Sequence, residues 1–176
     1  TRGSTFALNP VYKSTIYCAQ GNSVLRSRDD GDSWTIVSSF LSGYTKCNAF
    51  IVSPKDSNLW LASCGGGSVK DRVLRSTNGG ATWDSTLTYD VGEYGIPLEM
   101  DPDHPDTVWF GGEASQSGTT QVPLKRSTNF GLTWSPVGNP IFRSPCDIVV
   151  VPDSTQIMII GDGVTGNGAG RHLKST

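Results

Sequence analysis

Short apolar runs recur along the chain at regular intervals, and a polar turn containing proline follows the first run of each repeat. These prolines are Pro10, Pro54, Pro102 and Pro152. A second apolar run follows each turn, and a half-polar third run ends in a serine. Runs this short, bounded by turn residues, predict β-strands. The pattern predicts four strands per repeat, and the apolar run 148–151 predicts an inner strand covered on both faces.

An eight-residue motif, here called the box, occurs three times between the third and fourth predicted strands. Box 1 is residues 27–34, box 2 is 76–83, box 3 is 127–134, and a fourth begins at Ser175. The starts are 49, 51 and 48 residues apart, a period typical of propeller blades. Asp or Asn at the third place bonds nearby backbone amides, and glycine at the fifth allows positive φ. Each box therefore predicts a tight hairpin turn, ending in a tryptophan buried between neighbouring strands.

The residues shared by the boxes resemble the Asp-box of sialidase-type (BNR) repeats. They are Ser27, Asp29, Gly31 and Trp34; Ser76, Asn78, Gly80 and Trp83; and Ser127, Asn129, Gly131 and Trp134. The resemblance covers essentially the whole chain. It implies an all-β fold, a β-propeller of four-stranded antiparallel blades, present as an incomplete ring of about 3.5 to 4 blades. Because two boxes carry Asn instead of Asp, we interpret the box residues as structural.

The repeats divide the chain into one propeller segment of four blades. They are expected over about residues 1–40, 45–88, 95–138 and 145–176, and the last lacks its fourth strand. Trp60 and Trp109, with Tyr17 at the matching place, are expected to pack from the second strand against the adjacent blade. A propeller avoids exposed sheet edges by closing into a ring. We therefore expect further propeller chain or another subunit to complete the ring.

Composition excludes several classes of partner. The net charge is −2, and no cluster of Lys and Arg stands out, which disfavours nucleic acid and anionic lipid. No apolar run approaches the roughly 20 residues that cross a bilayer, so membrane insertion is not expected. The first residues lack a signal-peptide core, which indicates a processed leader or an internal piece. No metal site or cofactor is predicted, because no cysteine pair has zinc-ligand spacing.

Cys47 and Cys64 lie symmetrically about the turn at residues 54–57. In a simple hairpin they would face each other across two strands, which predicts a disulfide. The alternative is a pair of buried thiols. A disulfide favours an extracytoplasmic location, secreted or on the cell surface. Cys18 and Cys146 fall in different blades and are expected to be unpaired within this segment.

Candidate ligand-binding residues lie on the face opposite the boxes, here called the loop face. The inter-blade loops contribute Tyr44, Tyr89, Asp90, Glu93 and Tyr94, and the loops between second and third strands contribute Glu113 and Asp162. The tyrosines are candidates for ligand binding. A glycosidase would need two carboxyl groups about 5.5 Å apart for retention, or about 6.5 to 9.5 Å for inversion. Asp90, Glu93, Glu113 and Asp162 are the candidate catalytic acids.

Sialidase activity is disfavoured, because the Phe/Tyr-Arg-Ile-Pro motif of sialidases is matched only by residues 94–97, with Gly95 in place of the arginine. Arg26, Arg75 and Arg126 each precede a box and are interpreted as rim residues. The favoured function is a non-enzymatic extracellular module that binds glycan or protein through its loop face. The open blade ends could also self-associate. The alternatives are a glycoside hydrolase of the Asp-box class and an assembly factor that grips a folded partner.

Overall fold

A computed structural model describes residues 5–40, 42–66, 69–89, 96–111, 121–142, 145–153, 158–162 and 171–175. All regular structure in these residues is β-strand. The strands are β1 Thr5–Leu8, β2 Ile16–Gln20, β3 Ser23–Ser27, β4 Thr35–Ser39, β5 Lys46–Val52, β6 Trp60–Gly65, β7 Asp71–Ser76, β8 Asp84–Tyr89, β9 Leu98–Met100, β10 Val108–Phe110, β11 Val122–Ser127, β12 Ser135–Phe142, β13 Pro145–Val150, β14 Met158–Asp162 and β15 Arg171–Lys174.

The strands form four antiparallel meanders in chain order. Blade 1 is β1-β2-β3-β4, blade 2 is β5-β6-β7-β8, blade 3 is β9-β10-β11-β12, and blade 4 is the three-stranded sheet β13-β14-β15. The predicted all-β class with blades of four antiparallel strands is confirmed. The chain divides into two compact units, residues 1–88 and residues 89–176.

The three boxes form the same hydrogen-bonded turn. The box 1 serine, Ser27, donates to the Asp29 carboxylate at 2.7 Å and accepts from the Gly31 amide at 2.9 Å. In boxes 2 and 3 the serine hydroxyl donates to the Asn side-chain oxygen at 2.9 Å. The Gly amide donates to the serine hydroxyl at 2.9 Å in box 2 and at 2.8 Å in box 3. The glycines have positive φ, as do the residues before them. Each box therefore encloses its serine, which is 1% exposed in all three copies.

The hydrogen bond between the third and seventh side chains of the box runs in opposite directions with Asp and with Asn at the third place. In box 1, the Ser33 hydroxyl donates to Asp29 at 2.5 Å. In box 2, the Asn78 amide donates instead to the Thr82 hydroxyl at 2.9 Å, and box 3 repeats this bond at 2.8 Å. The same turn therefore forms with Asp, which accepts from the seventh residue, and with Asn, which donates to it.

Aromatic rings join the two blades of unit 1. Tyr17 of blade 1 contacts Trp60 of blade 2, with ring centroids 4.9 Å apart, and Phe50 packs on Trp60 at 5.5 Å. The Trp83 ring lies 5.0 Å from that of Phe40, and its indole N–H donates to the Ser38 hydroxyl at 2.9 Å. Ser38 in turn donates to the Gly80 carbonyl at 2.6 Å. The last strand of blade 1 is therefore fastened to box 2.

The strand register corrects the expected match between the two second-strand tryptophans. Trp109 and Tyr17 lie opposite Arg126 and Arg26, but Trp60 lies opposite Ser76, one position earlier in its repeat. A shift of one residue turns a side chain to the other face of a sheet. Trp60 therefore faces blade 1, whereas Trp109 occupies the place of Tyr17.

Burial differs among the box tryptophans, and Trp134 is only partly buried. Trp83 is 7% exposed beneath Ser38 and Phe40, as predicted. Trp34, in the first blade of these 176 residues, is 36% exposed, so full burial was wrong there. The expectation that the run 148–151 is covered on both faces was also wrong, because Val149 is 52% exposed.

Replacing Trp83 with alanine is expected to lower the free energy of unfolding by about 3 to 5 kcal/mol, because it empties a buried ring site and removes a hydrogen bond. Trp34→Ala is the matched control and should cost only about 1 kcal/mol, since its ring is partly in water. Urea denaturation of both variants measures the difference. Equal losses would contradict the role assigned to the preceding blade.

Asp29→Asn is expected to fold, because boxes 2 and 3 close the same turn with Asn. Hydrogen bonds from Ser33 and Ser27 lower the pKa of Asp29 from 3.8 to about 2. A lowered folded pKa contributes stability above the unfolded pKa, and this contribution is lost as pH falls from about 4 to about 2. Denaturation curves over this range should therefore depend less on pH in Asp29→Asn than in the wild type. Identical pH dependence would contradict the assignment.

Candidate functional site

The described loop-face candidates are buried side chains. Asp90, Glu93, Tyr94 and Glu113 lie outside the described residues. Asp162 ends β14 and is 1% exposed, while Tyr44 and Tyr89 are 5% and 4% exposed. Burial raises the pKa of the Tyr44 hydroxyl. The Tyr89 ring packs on Phe110 at 4.6 Å. Ligand contact by Tyr44, Tyr89 and Asp162 stays a prediction.

Cys47 and Cys64 are register partners on β5 and β6, and both are free thiols in this structure. Burial and the adjacent Cys47 raise the pKa of the Cys64 thiol well above its usual value. Directly opposed residues in antiparallel strands have Cα atoms about 4.5 to 5.5 Å apart, which is within disulfide range. The positions permit the predicted bridge, and its formation stays a prediction.

Glycine and aspartate pack closely beside this pair of thiols. The Asp71 carboxylate accepts a hydrogen bond from the Gly66 amide at 3.0 Å. A Cβ atom at Gly65 would lie 2.4 Å from that carboxylate, so no larger residue fits without rearrangement. Gly65 and Gly66 therefore lie directly against a buried acid.

A cavity of about 290 Å³ opens on the box face of unit 1, between blades 1 and 2. The turn between the first two strands, the box and the adjoining strands of each blade contribute its walls. The lining residues are Asn9, Tyr12, Thr15, Tyr17, Arg26, Arg28, Ser57, Asn58, Trp60, Asn78 and Gly79. The sequence pattern predicts ligand binding on the opposite face and does not indicate this site.

Local hydrogen bonds set the shape of the cavity. The Asn9 oxygen accepts from the backbone amides of Val11 and Tyr12, both at 2.9 Å, and its amide donates to the Tyr17 hydroxyl at 3.1 Å. The Trp60 indole donates to the Ser57 carbonyl at 2.7 Å. Asn9 thus closes the first turn of blade 1 and positions a phenol in the cavity wall.

Arg26 gives the cavity positive charge. It lies directly opposite Tyr17 in the sheet, so both side chains share the face towards blade 2. Its Nε atom is buried and has no hydrogen-bond partner in the described structure. Arg28 also lines the cavity, and none of the lining residues is acidic. Arg26 was interpreted as a rim residue, since nothing in the sequence shows which neighbour its side chain meets.

Glu99 is a partly buried acid that sequence analysis did not identify. It lies opposite Trp109 on β9 of unit 2. Burial raises the pKa of its carboxyl, and a hydrogen bond with the Val150 backbone opposes the shift. A raised pKa is a property of general acids in glycoside hydrolysis.

In the described residues, no cluster of three or more His, Cys, Asp or Glu could hold a metal ion. The same residues contain no helix with the length and apolar character needed to cross a membrane.

Comparison with known proteins identifies the fold. No family model and no curated protein matches the chain. It is similar in structure to the GH74 enzyme of Niastella koreensis, with a TM-score of 0.71 and 23% identity over 98% of this chain and 28% of that one. The GH74 xyloglucanase from Xanthomonas campestris has a TM-score of 0.61 and 17% identity, over 89% of this chain and 27% of that one.

YCF48 bound to D1 peptide is a third similar structure, with a TM-score of 0.55 and 14% identity. The match covers 96% of this chain and 53% of that one. GH74 enzymes and YCF48 are β-propeller proteins. At these identities the likeness shows the fold alone, and the chain has the fold of an incomplete β-propeller.

After purification without reductant, Cys47 and Cys64 are expected to form a disulfide, because their strand positions already match its geometry. The bridge should stabilise the fold by about 3 kcal/mol through restriction of the unfolded chain. Mass spectrometry after denaturation and alkylation tests it, with Cys18 as the internal control that should be alkylated. Alkylation of both Cys47 and Cys64 would refute the bridge.

Proposed function

We propose that the chain is a non-enzymatic binding and structural module of an Asp-box propeller, recognising glycan or protein through its loop face. The observation that carries this proposal is the enclosure of Asp162, which is 1% exposed and is the one of the four catalytic acids predicted from the sequence that lies among the described residues. A carboxyl group so enclosed cannot approach a glycosidic bond without local rearrangement. The box polar groups support a structural role, because they bond to one another within their turns.

We also propose that another propeller blade covers the outer face of blade 1. Phe6 and Ile36 lie in one row across the sheet, and both are exposed, at 65% and 68%. Leu8 adds a further apolar side chain at 67% exposure. Exposed apolar side chains grouped on one face of a sheet indicate an interaction surface. Further propeller chain or another subunit would supply the cover, and self-association through such faces belongs to the same proposal.

An extracytoplasmic location follows from the proposed Cys47–Cys64 bridge, since disulfides persist in oxidising compartments. A protein ligand is supported by YCF48, a propeller of similar fold that is described with a bound peptide. An assembly factor that grips a folded partner is the corresponding protein-binding alternative.

Glycoside hydrolysis is the enzymatic alternative, and Glu99 is the observation that favours it. Burial raises the pKa of its carboxyl, and a raised pKa is the direction that a general acid requires. The similar fold of a GH74 xyloglucanase makes hydrolysis of xyloglucan the first reaction to test. This function also requires a second acid or base at the distance set by its stereochemistry.

A glycan array combined with a panel of chromogenic glycosides separates the two functions. We expect the wild-type chain to retain glycans or proteins without releasing chromophore, because its described candidate acid is enclosed. The informative variants are Asp90→Asn, Glu93→Gln, Glu99→Gln, Glu113→Gln and Asp162→Asn. Turnover that one or two of these substitutions abolish would overturn the non-enzymatic proposal. Binding without turnover, unchanged in Glu99→Gln, would support it.

A further inference from the structure

We propose that the cavity between blades 1 and 2 binds an acidic sugar, a hexuronate, through its carboxylate. The site lies on the box face, so it is separate from the loop-face function proposed above. Arg26 would bind the carboxylate, and the polar walls would bind the sugar hydroxyls.

The charge of the cavity points to an anion. Arg26 and Arg28 line it, and the other lining residues are uncharged. The Arg26 Nε–H is a buried donor without an acceptor in the described structure. Buried polar groups in native proteins are nearly always hydrogen-bonded, so an orphaned donor calls for an explanation. A carboxylate supplies two oxygens in the geometry that a guanidinium fork prefers.

Blade 3 shows how the same arginine position is satisfied elsewhere in the chain. Arg126 lies over the Trp109 ring at 5.6 Å, and Glu99 lies next to Trp109 in the same cross-strand row. In blade 1, Ala7 takes the place of the glutamate, with Tyr17 in the middle of the row. Blade 1 thus keeps the arginine but has no acid in this row.

Asn78 keeps negative charge out of the cavity. It lines the wall, and its oxygen accepts from the Ser76 hydroxyl and the Thr82 amide, both at 2.9 Å. Asp29 makes the same bonds in box 1, so the turn itself would also tolerate a carboxylate. Asparagine at this place preserves the turn without repelling an anion.

Size and polarity favour a sugar over an extended acidic peptide. The volume of about 290 Å³ lies just below the range typical of small-molecule pockets, roughly 300 to 1,000 Å³. Thr15, Ser57 and Asn58 provide hydroxyl and amide groups in its lining. The ring of Tyr12, 66% exposed, provides a surface on which a pyranose can pack.

Calorimetric titration of the 176-residue chain with trigalacturonate and with glucuronate tests the proposal. Galactose and glucose are the neutral controls, and acetate and tetraglutamate are carboxylates without a sugar. We expect a uronate to bind, the neutral sugars to bind at least tenfold more weakly, and uronate affinity to fall with added salt, because the contact is ionic.

Arg26→Gln should lower uronate affinity tenfold or more. Arg26→Lys should restore part of it, because lysine keeps the charge without the planar fork. Arg75→Gln is the matched control, since Arg75 holds the same position before box 2 and does not line the cavity. Thermal unfolding checks that each variant folds. Arg28→Gln replaces Arg26→Gln as the test if the latter unfolds, and it should weaken uronate binding more than Arg75→Gln does.

Three results would overturn the proposal. The first is the absence of uronate binding by the wild-type chain. The second is unchanged affinity in Arg26→Gln. The third is an affinity for galactose, acetate or tetraglutamate equal to that for uronate, which would assign the cavity to a different ligand. Loop-face glycan or protein binding that survives Arg26→Gln would leave the function proposed earlier intact.

Discussion

The buried serine hydroxyl at the start of each box is the interaction on which the blades depend. This hydroxyl donates to the Asp or Asn side chain and accepts hydrogen bonds from backbone N–H groups of the turn. A sharp turn with two residues at positive φ therefore keeps its backbone donors hydrogen-bonded within the protein. The conformational cost of the turn falls on Phe130, a bulky residue at φ 47°, whose ring is 1% exposed. Packing of that ring offsets a backbone conformation that few side chains adopt.

The turn also places the next blade. Gly80 has a φ of 83°, and a Cβ there would lie 2.5 Å from the Trp60 ring and 2.7 Å from the Ser38 hydroxyl. Glycine is therefore required twice at this position, for its backbone angle and for the close approach of the preceding blade. The Ser38 hydroxyl then bridges the Gly80 carbonyl and the Trp83 indole. A local turn motif thereby becomes an inter-blade contact.

Much of the fold was predictable because its determinants are local. Strand order, antiparallel pairing and the box turns follow from residues close together in the sequence, and the Cys47–Cys64 register follows from a single hairpin. The error at Trp60 came from aligning tryptophans by type, while a shift of one residue reverses the face. Val149 and Trp34 are exposed although their local sequence predicts burial, because exposure is set by contacts outside the local pattern.

The cavity was not predictable for a related reason. Arg26, Arg75 and Arg126 precede their boxes identically, but their register partners on the second strand are Tyr17, Leu61 and Trp109. The indole of Trp109 lies beneath Arg126, and Glu99 adds an acid to that row, whereas the row of Arg26 has Tyr17 and Ala7 at these places. The same position before a box therefore carries a cation stacked on a ring in blade 3 and a cation lining a polar cavity in blade 1. Function in this repeat architecture is decided across strands and between blades, where the repeats differ.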